Sequence, residues 1–110
     1  MVDKTISRIE ERIRGNESLN AEKKQELLSL IGDLRNEMTG LEKNHHNDAH
    51  SIAGYAESSV HEATRDDINP ELLKHSLDGL SLSAKRFEIS HPRLTGLINN
   101  IGQTLWKLGI

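Results

Sequence analysis

The stretch AEKKQELLSLIGDLRNEMTGLEKNHHNDAHSIAGYAESSVHEATR, residues 21–65, decides the fold. Leu27, Ile31, Leu34, Met38 and Leu41 recur at alternating spacings of four and three. That is the seam of a heptad repeat, in which one helix face stays apolar along its length. The same register runs on through His45, Asp48 and Ile52, so the seam turns polar in its middle. A slightly shifted register then carries Ala49, Ala53, Ala56, Val60 and Ala63, a seam of small residues. Two readings compete. One is a continuous coiled-coil-like helix over about 21–65, far longer than the ~10–14 residues of an ordinary helix. The other is two helices broken near 43–48, where Asn44 and Asn47 are poor helix formers. No proline intervenes, and the reading favours the continuous helix.

Outward from that stretch the helical period persists. Val2, Ile6, Ile9 and Ile13 form one face of a short helix over about 3–14, with Asp3 as its expected N-cap and Gly15 as its expected left-handed stop. Asn20 is placed to cap the next helix, with Glu22 in its first turn. Asn69 followed by Pro70 marks the start of a helix over about 70–89, because proline suits the first helical position. Leu73, Leu77, Leu80, Ala84 and Phe87 line it, and Ile68 with Leu73 has the spacing of a hydrophobic staple. Ser90 is the expected cap of the last helix, about 91–108, with Ile89 and Leu94 as a second staple. Leu94, Leu97, Ile98, Ile101, Leu105 and Leu108 line that helix. Gly109 is its expected left-handed stop, with Ile110 reaching back toward Leu105, and Trp106 is assigned to the core. No stretch combines β-branched residues with strict alternation, so the class is all-α.

The chain has 110 residues, the size of one domain. Net charge is -3, and Lys85-Arg86 is too small a cluster to argue for nucleic acid. Cysteine is absent, which removes disulfides, thiolate metal sites and cysteine nucleophiles. No apolar run approaches the ~20 residues of a membrane span, and the N-terminus lacks a signal pattern, so the expected location is the cytoplasm. The expected partner is a second copy of the chain. A 45-residue helix would extend ~65 Å, and one set of the remaining helices could not cover its seam. The expectation is therefore helical hairpins around a long central helix, assembled as a dimeric or tetrameric bundle.

Residues 44–68 carry one basic group, Arg65, against Asp48, Glu57, Glu62, Asp66 and Asp67, whereas residues 69–110 carry five basic and three acidic groups. Solvated helix faces account for this pattern; an acidic middle facing a basic C-terminal pair is the sharper reading. Four of the six histidines fall in residues 45–61. His46 and His50 share a helix face, as do Glu57 and His61, and the four lie along one stripe. Imidazole with carboxylate suits zinc, nickel, copper or iron. The stripe is too long to close on one ion, so a metal site would need a facing helix or subunit. Polar surface is the plainer interpretation. His45 and Asp48, three apart, suggest either simple exposure or a hydrogen bond across an oligomer axis. His75 and His91 read as packing or capping residues. No nucleophile, base and orienter set is present, nor a phosphate-binding or dinucleotide motif, so no catalysis is expected.

The run Lys85-Arg86-Phe87-Glu88-Ile89-Ser90-His91-Pro92-Arg93-Leu94 and the ending Leu105-Trp106-Lys107-Leu108-Gly109-Ile110 resemble a bacterial domain-of-unknown-function family, number four-four-zero-four, in a longer variant. The Phe-Glu-x-Ser-His-Pro run and the Leu-Gly-Ile ending are the most specific features. The resemblance implies a small, all-helical, cytoplasmic bacterial protein and supplies no activity, cofactor or catalytic residues. Three functions are then in play: self-association or protein contact, metal binding through His46, His50, Glu57 and His61 with zinc or nickel, and an adaptor that takes a partner helix in an exposed seam.

Overall fold

The computed structural model describes residues 2–109. Five α-helices follow one another: α1 Val2–Gly15, α2 Ala21–Glu42, α3 His46–Ala63, α4 Pro70–Ala84 and α5 Pro92–Gly109, with a 3-10 turn at Lys85–Phe87 after α4. Among the described residues there is no strand. None of the helices is long and apolar enough to cross a membrane.

The continuous central helix is corrected: the chain breaks between Glu42 and His46. Asn44 and His45 donate their amides to the Leu41 carbonyl at 3.3 and 2.8 Å, which closes α2. His45 then leaves the helical region at φ -136°, ψ 56°, and its carbonyl accepts from Ala49 to begin α3. The physical reason is the polar middle of the seam. A straight helix would keep His45 and Asp48 on the seam between Leu41 and Ile52. The break turns that polar pair to a half-exposed corner and lets both halves of the seam face inward. By helical rise α2 and α3 are about 33 and 27 Å long, yet the whole chain spans only 37 × 24 × 20 Å, so they fold back on each other.

That reversal covers the seam within one chain. Leu27, Ile31, Leu34, Met38 and Leu41 are each at most 1% exposed. The radius of gyration is 12.9 Å, close to the ~13 Å of a compact chain this long. A single copy hides the ridge whose length was the reason to expect a dimeric or tetrameric assembly. The small-residue seam has a different use. Ala49, Ala53, Ala56, Ser59 and Ala63 are buried on α3, which packs most extensively on α4 and also touches α1, α2 and α5. Small side chains let those helices approach from several sides, and Tyr55 lies directly over Gly79 of α4, where a Cβ would collide with its ring.

The caps follow the local chemistry in part. Asn20 accepts from Lys23 at 2.8 Å, and Asn69 accepts from Glu71 and Leu72 at 3.0 and 3.3 Å. Asp3 is not a cap, since α1 begins at Val2; it pairs with Arg35 instead. Helix α4 ends at Ala84 rather than 89, and its last turn tightens to 3-10 geometry. Ser90 does not cap α5: its hydroxyl bonds His91 Nδ1 at 2.9 Å, and His91 accepts from Leu94 and Thr95 through its own carbonyl. Ile89, 95% exposed, makes no staple. Neither Gly15 nor Gly109 is left-handed. The contact expected of Ile110 lies outside the described residues. Trp106, placed in the core by sequence, is 38% exposed. It borders a shallow groove with Leu77, Leu80, Ile98 and Gly102 between α4 and α5.

Ser59 is fully buried on α3, and its hydroxyl has no hydrogen-bond partner among the described residues. An unsatisfied buried hydroxyl costs about 1–3 kcal/mol, and alanine has the higher helix propensity. Ser59→Ala is therefore expected to stabilise the fold by roughly 1 kcal/mol, read as a higher urea midpoint with an unchanged slope.

Candidate metal centre at the α2–α3 corner

The break that covers the seam also brings together three side chains that could hold a metal ion. Glu42 is the last residue of α2, His46 the first of α3, and His50 stands one turn on. One potential ligand atom from each lies within 4.8 Å of the other two. Glu42 Oε2 is 3.7 Å from His46 Nδ1, and the His46 and His50 rings meet edge to face with centroids 4.5 Å apart. Donors bound to one zinc ion at 2.0–2.2 Å sit roughly 3.3 Å from each other, so modest rotamer shifts would close the set. The side chain of His46 is 57% exposed and that of Glu42 34% exposed. His50 Nε2 is shielded from solvent and has no hydrogen-bond partner among the described residues. Leaving a buried polar atom unpaired is costly, and a bound cation would satisfy it.

The stripe expected from sequence therefore divides. His46 and His50 come together, but Glu57 and His61 do not join them. Glu57 is held by Arg8 of α1, which donates to its two oxygens at 2.8 and 3.1 Å. The hydrogen bond from Arg8 holds the Glu57 carboxyl below its ordinary range. Partial burial opposes that lowering, and attraction to Arg8 and His61 adds to it. His61 lines the same α1–α3 cleft, together with Arg8, Arg12 and Glu57. Arg12 donates to the Thr64 hydroxyl at 2.9 Å. Glu57 through its side chain, and His61 through its backbone carbonyl, which accepts from Arg12 at 3.5 Å, help attach α1 to α3.

Glu42 is the member that sequence reasoning missed. Its signal was spacing: it stands four residues before His46, as His46 does before His50. A stripe searched only downstream of His46 cannot include it.

A second cluster supports the corner from the inside. The Phe87 ring meets His45 at 5.0 Å and His91 at 5.4 Å, and His45 and His91 meet at 6.3 Å, all three pairs edge to face. Arg86 sits over Phe87 at 5.5 Å and pairs with Asp48 at 3.3 Å. Asp48 Oδ2 is 4.0 Å from His45 Nδ1 within the same chain, so that pair is accounted for without an oligomer axis. Arg86, Phe87 and His91 thereby clamp the joint between α4 and α5 against the joint between α2 and α3. Arg8–Glu57 and Arg86–Asp48 also place the partners of the acidic middle on α1 and on the 3-10 turn.

A family model described as "Domain of unknown function (DUF4404)" matches residues 2–110. The chain belongs to this family. In this DUF4404 chain, Phe87 and His91 of the Phe-Glu-x-Ser-His-Pro run do structural work at the corner that carries Glu42, His46 and His50. No curated protein matches the chain, and no solved structure does.

The Arg8–Glu57 pair gives a pH-dependent consequence. A carboxylate whose folded-state pKa is lowered stabilises the fold above its unfolded value, about 4.3 for glutamate, and loses that contribution as pH falls through the folded value. Glu57→Gln is expected to lower stability at pH 7. The gap between variant and wild type should then narrow as the pH is taken below about 4. Urea denaturation at both pH values measures it, and a gap that stays constant would contradict the pairing.

Proposed function

We propose that this chain is a non-catalytic helical bundle that binds a divalent transition-metal ion, zinc or nickel, through Glu42, His46 and His50. The observation that carries the reading is the convergence of three potential ligand atoms within 4.8 Å at one helix corner. Two neutral imidazoles and one carboxylate form a borderline donor set that favours zinc, nickel or copper over magnesium or calcium. The three side chains come from both sides of a chain break, so an ion held there would tie the end of α2 to the start of α3. The inner clamp of His45, Phe87 and His91 holds that corner in place, as structural support does for ligand geometry in metal sites. None of Glu42, His46 and His50 lines the α1–α3 cleft or the α4–α5 groove. That placement fits binding better than turnover of a small substrate.

A ligand that binds only the folded chain stabilises it by mass action, by about 2.7 kcal/mol at a hundredfold excess over the dissociation constant. Untagged protein titrated with zinc or nickel is therefore expected to bind metal in calorimetry and to melt at higher temperature. His46→Ala and His50→Ala should each weaken binding at least about tenfold, the cost of roughly 1.4 kcal/mol. His61→Ala should bind like wild type, because His61 stands in the α1–α3 cleft. Absence of binding in wild type, or loss of binding in His61→Ala but not in His50→Ala, would refute the site.

A further inference from the structure

We infer that Glu42, His46 and His50 form a half-site, completed by the same three residues of a second copy across a two-fold axis through one shared ion. The inference rests on the proposed metal binding and adds its partner. Among the described residues, the set of potential ligands at the corner stops at three. His46 is more than half exposed and Glu42 about a third exposed, so the set is open to solvent on their side while His50 Nε2 is shielded. An ion held by three ligands would keep further coordination positions to fill, and the exposed His46 side leaves room for groups from another surface.

Charge favours a second copy as the group that fills them. A divalent ion on one carboxylate and two neutral imidazoles keeps a net charge of +1 at a partly dry corner. Two copies bring two carboxylates and cancel the ion's charge. Coordination preference points the same way. Four imidazoles with two carboxylates make the tetragonal nitrogen and oxygen set that suits nickel or copper. The four imidazoles alone make a tetrahedral set for zinc. A two-fold axis supplies such a set from identical halves, because an isologous contact pairs each patch with itself. The apolar seam of α2 is already buried within each chain, so this contact depends on the ion rather than on a hydrophobic face.

The test is sedimentation equilibrium of untagged full-length protein with half an equivalent of nickel(II), and again after EDTA. The expected result is a particle of twice the 12.4 kDa chain mass with one ion per two chains, returning to a single chain with EDTA. His61→Ala is expected to dimerise like wild type, and His50→Ala to stay single and folded by circular dichroism. One ion per chain on a single-chain particle would overturn the half-site while leaving metal binding standing. A dimer that persists in EDTA, or in His50→Ala, would overturn it by showing a contact independent of the ion. No bound ion under any condition would end both readings.

Discussion

The chain reversal between Glu42 and His46 is the constraint on which the rest depends. An apolar ridge on a long helix must be covered, and polar residues in its middle resist being covered along with it. Breaking the helix where His45 and Asp48 interrupt the ridge resolves both demands. The two halves of the ridge fold onto the remaining helices, and each large apolar side chain so buried contributes about 1.5–3 kcal/mol. The polar pair is left at a corner, where Asp48 meets Arg86 and His45 meets Phe87.

From that reversal the candidate site follows as a geometric by-product. Helix ends are where side chains from two elements can meet outside the core. Glu42 closes one helix, and His46 and His50 open the next on a neighbouring face. The Phe87, His91 and Arg86 cluster ties the corner to the far joint of the bundle, so its position does not rest on the local turn alone. The candidate ligand side chains are thus mounted on a supported edge, while Glu57, farther along α3, is drawn into fastening α1.

Much of this was legible in the residues, and the failures have identifiable causes. Apolar periodicity marked helical character along α1, α4 and α5 but joined α2 and α3 into one helix, and Asn20 and Asn69 announced two starts through side chains that satisfy free amides. The break was visible only as a polar interruption, because its cause is the burial of both halves against helices remote in sequence. No local rule weighs that gain against helix continuity. Ser90 and Ile89 had the spacing of a cap and staple, yet the 3-10 turn after Ala84 moves both to the outside. At the candidate site, His46 and His50 were legible from helical spacing. Glu57's pairing was not legible because its partner Arg8 lies 49 positions away, and Glu42 was hidden on the other side of the break.

The most direct test of the reversal is a distance between spin labels on cysteines placed at Glu26 of α2 and His61 of α3, both exposed. The chain has no cysteine of its own to confuse the labelling. An uninterrupted helix would separate these positions by about 53 Å. The account predicts a distance within the 37 Å long dimension of the bundle. A distribution centred near the uninterrupted value would contradict the fold, the covered seam and the ligand corner together.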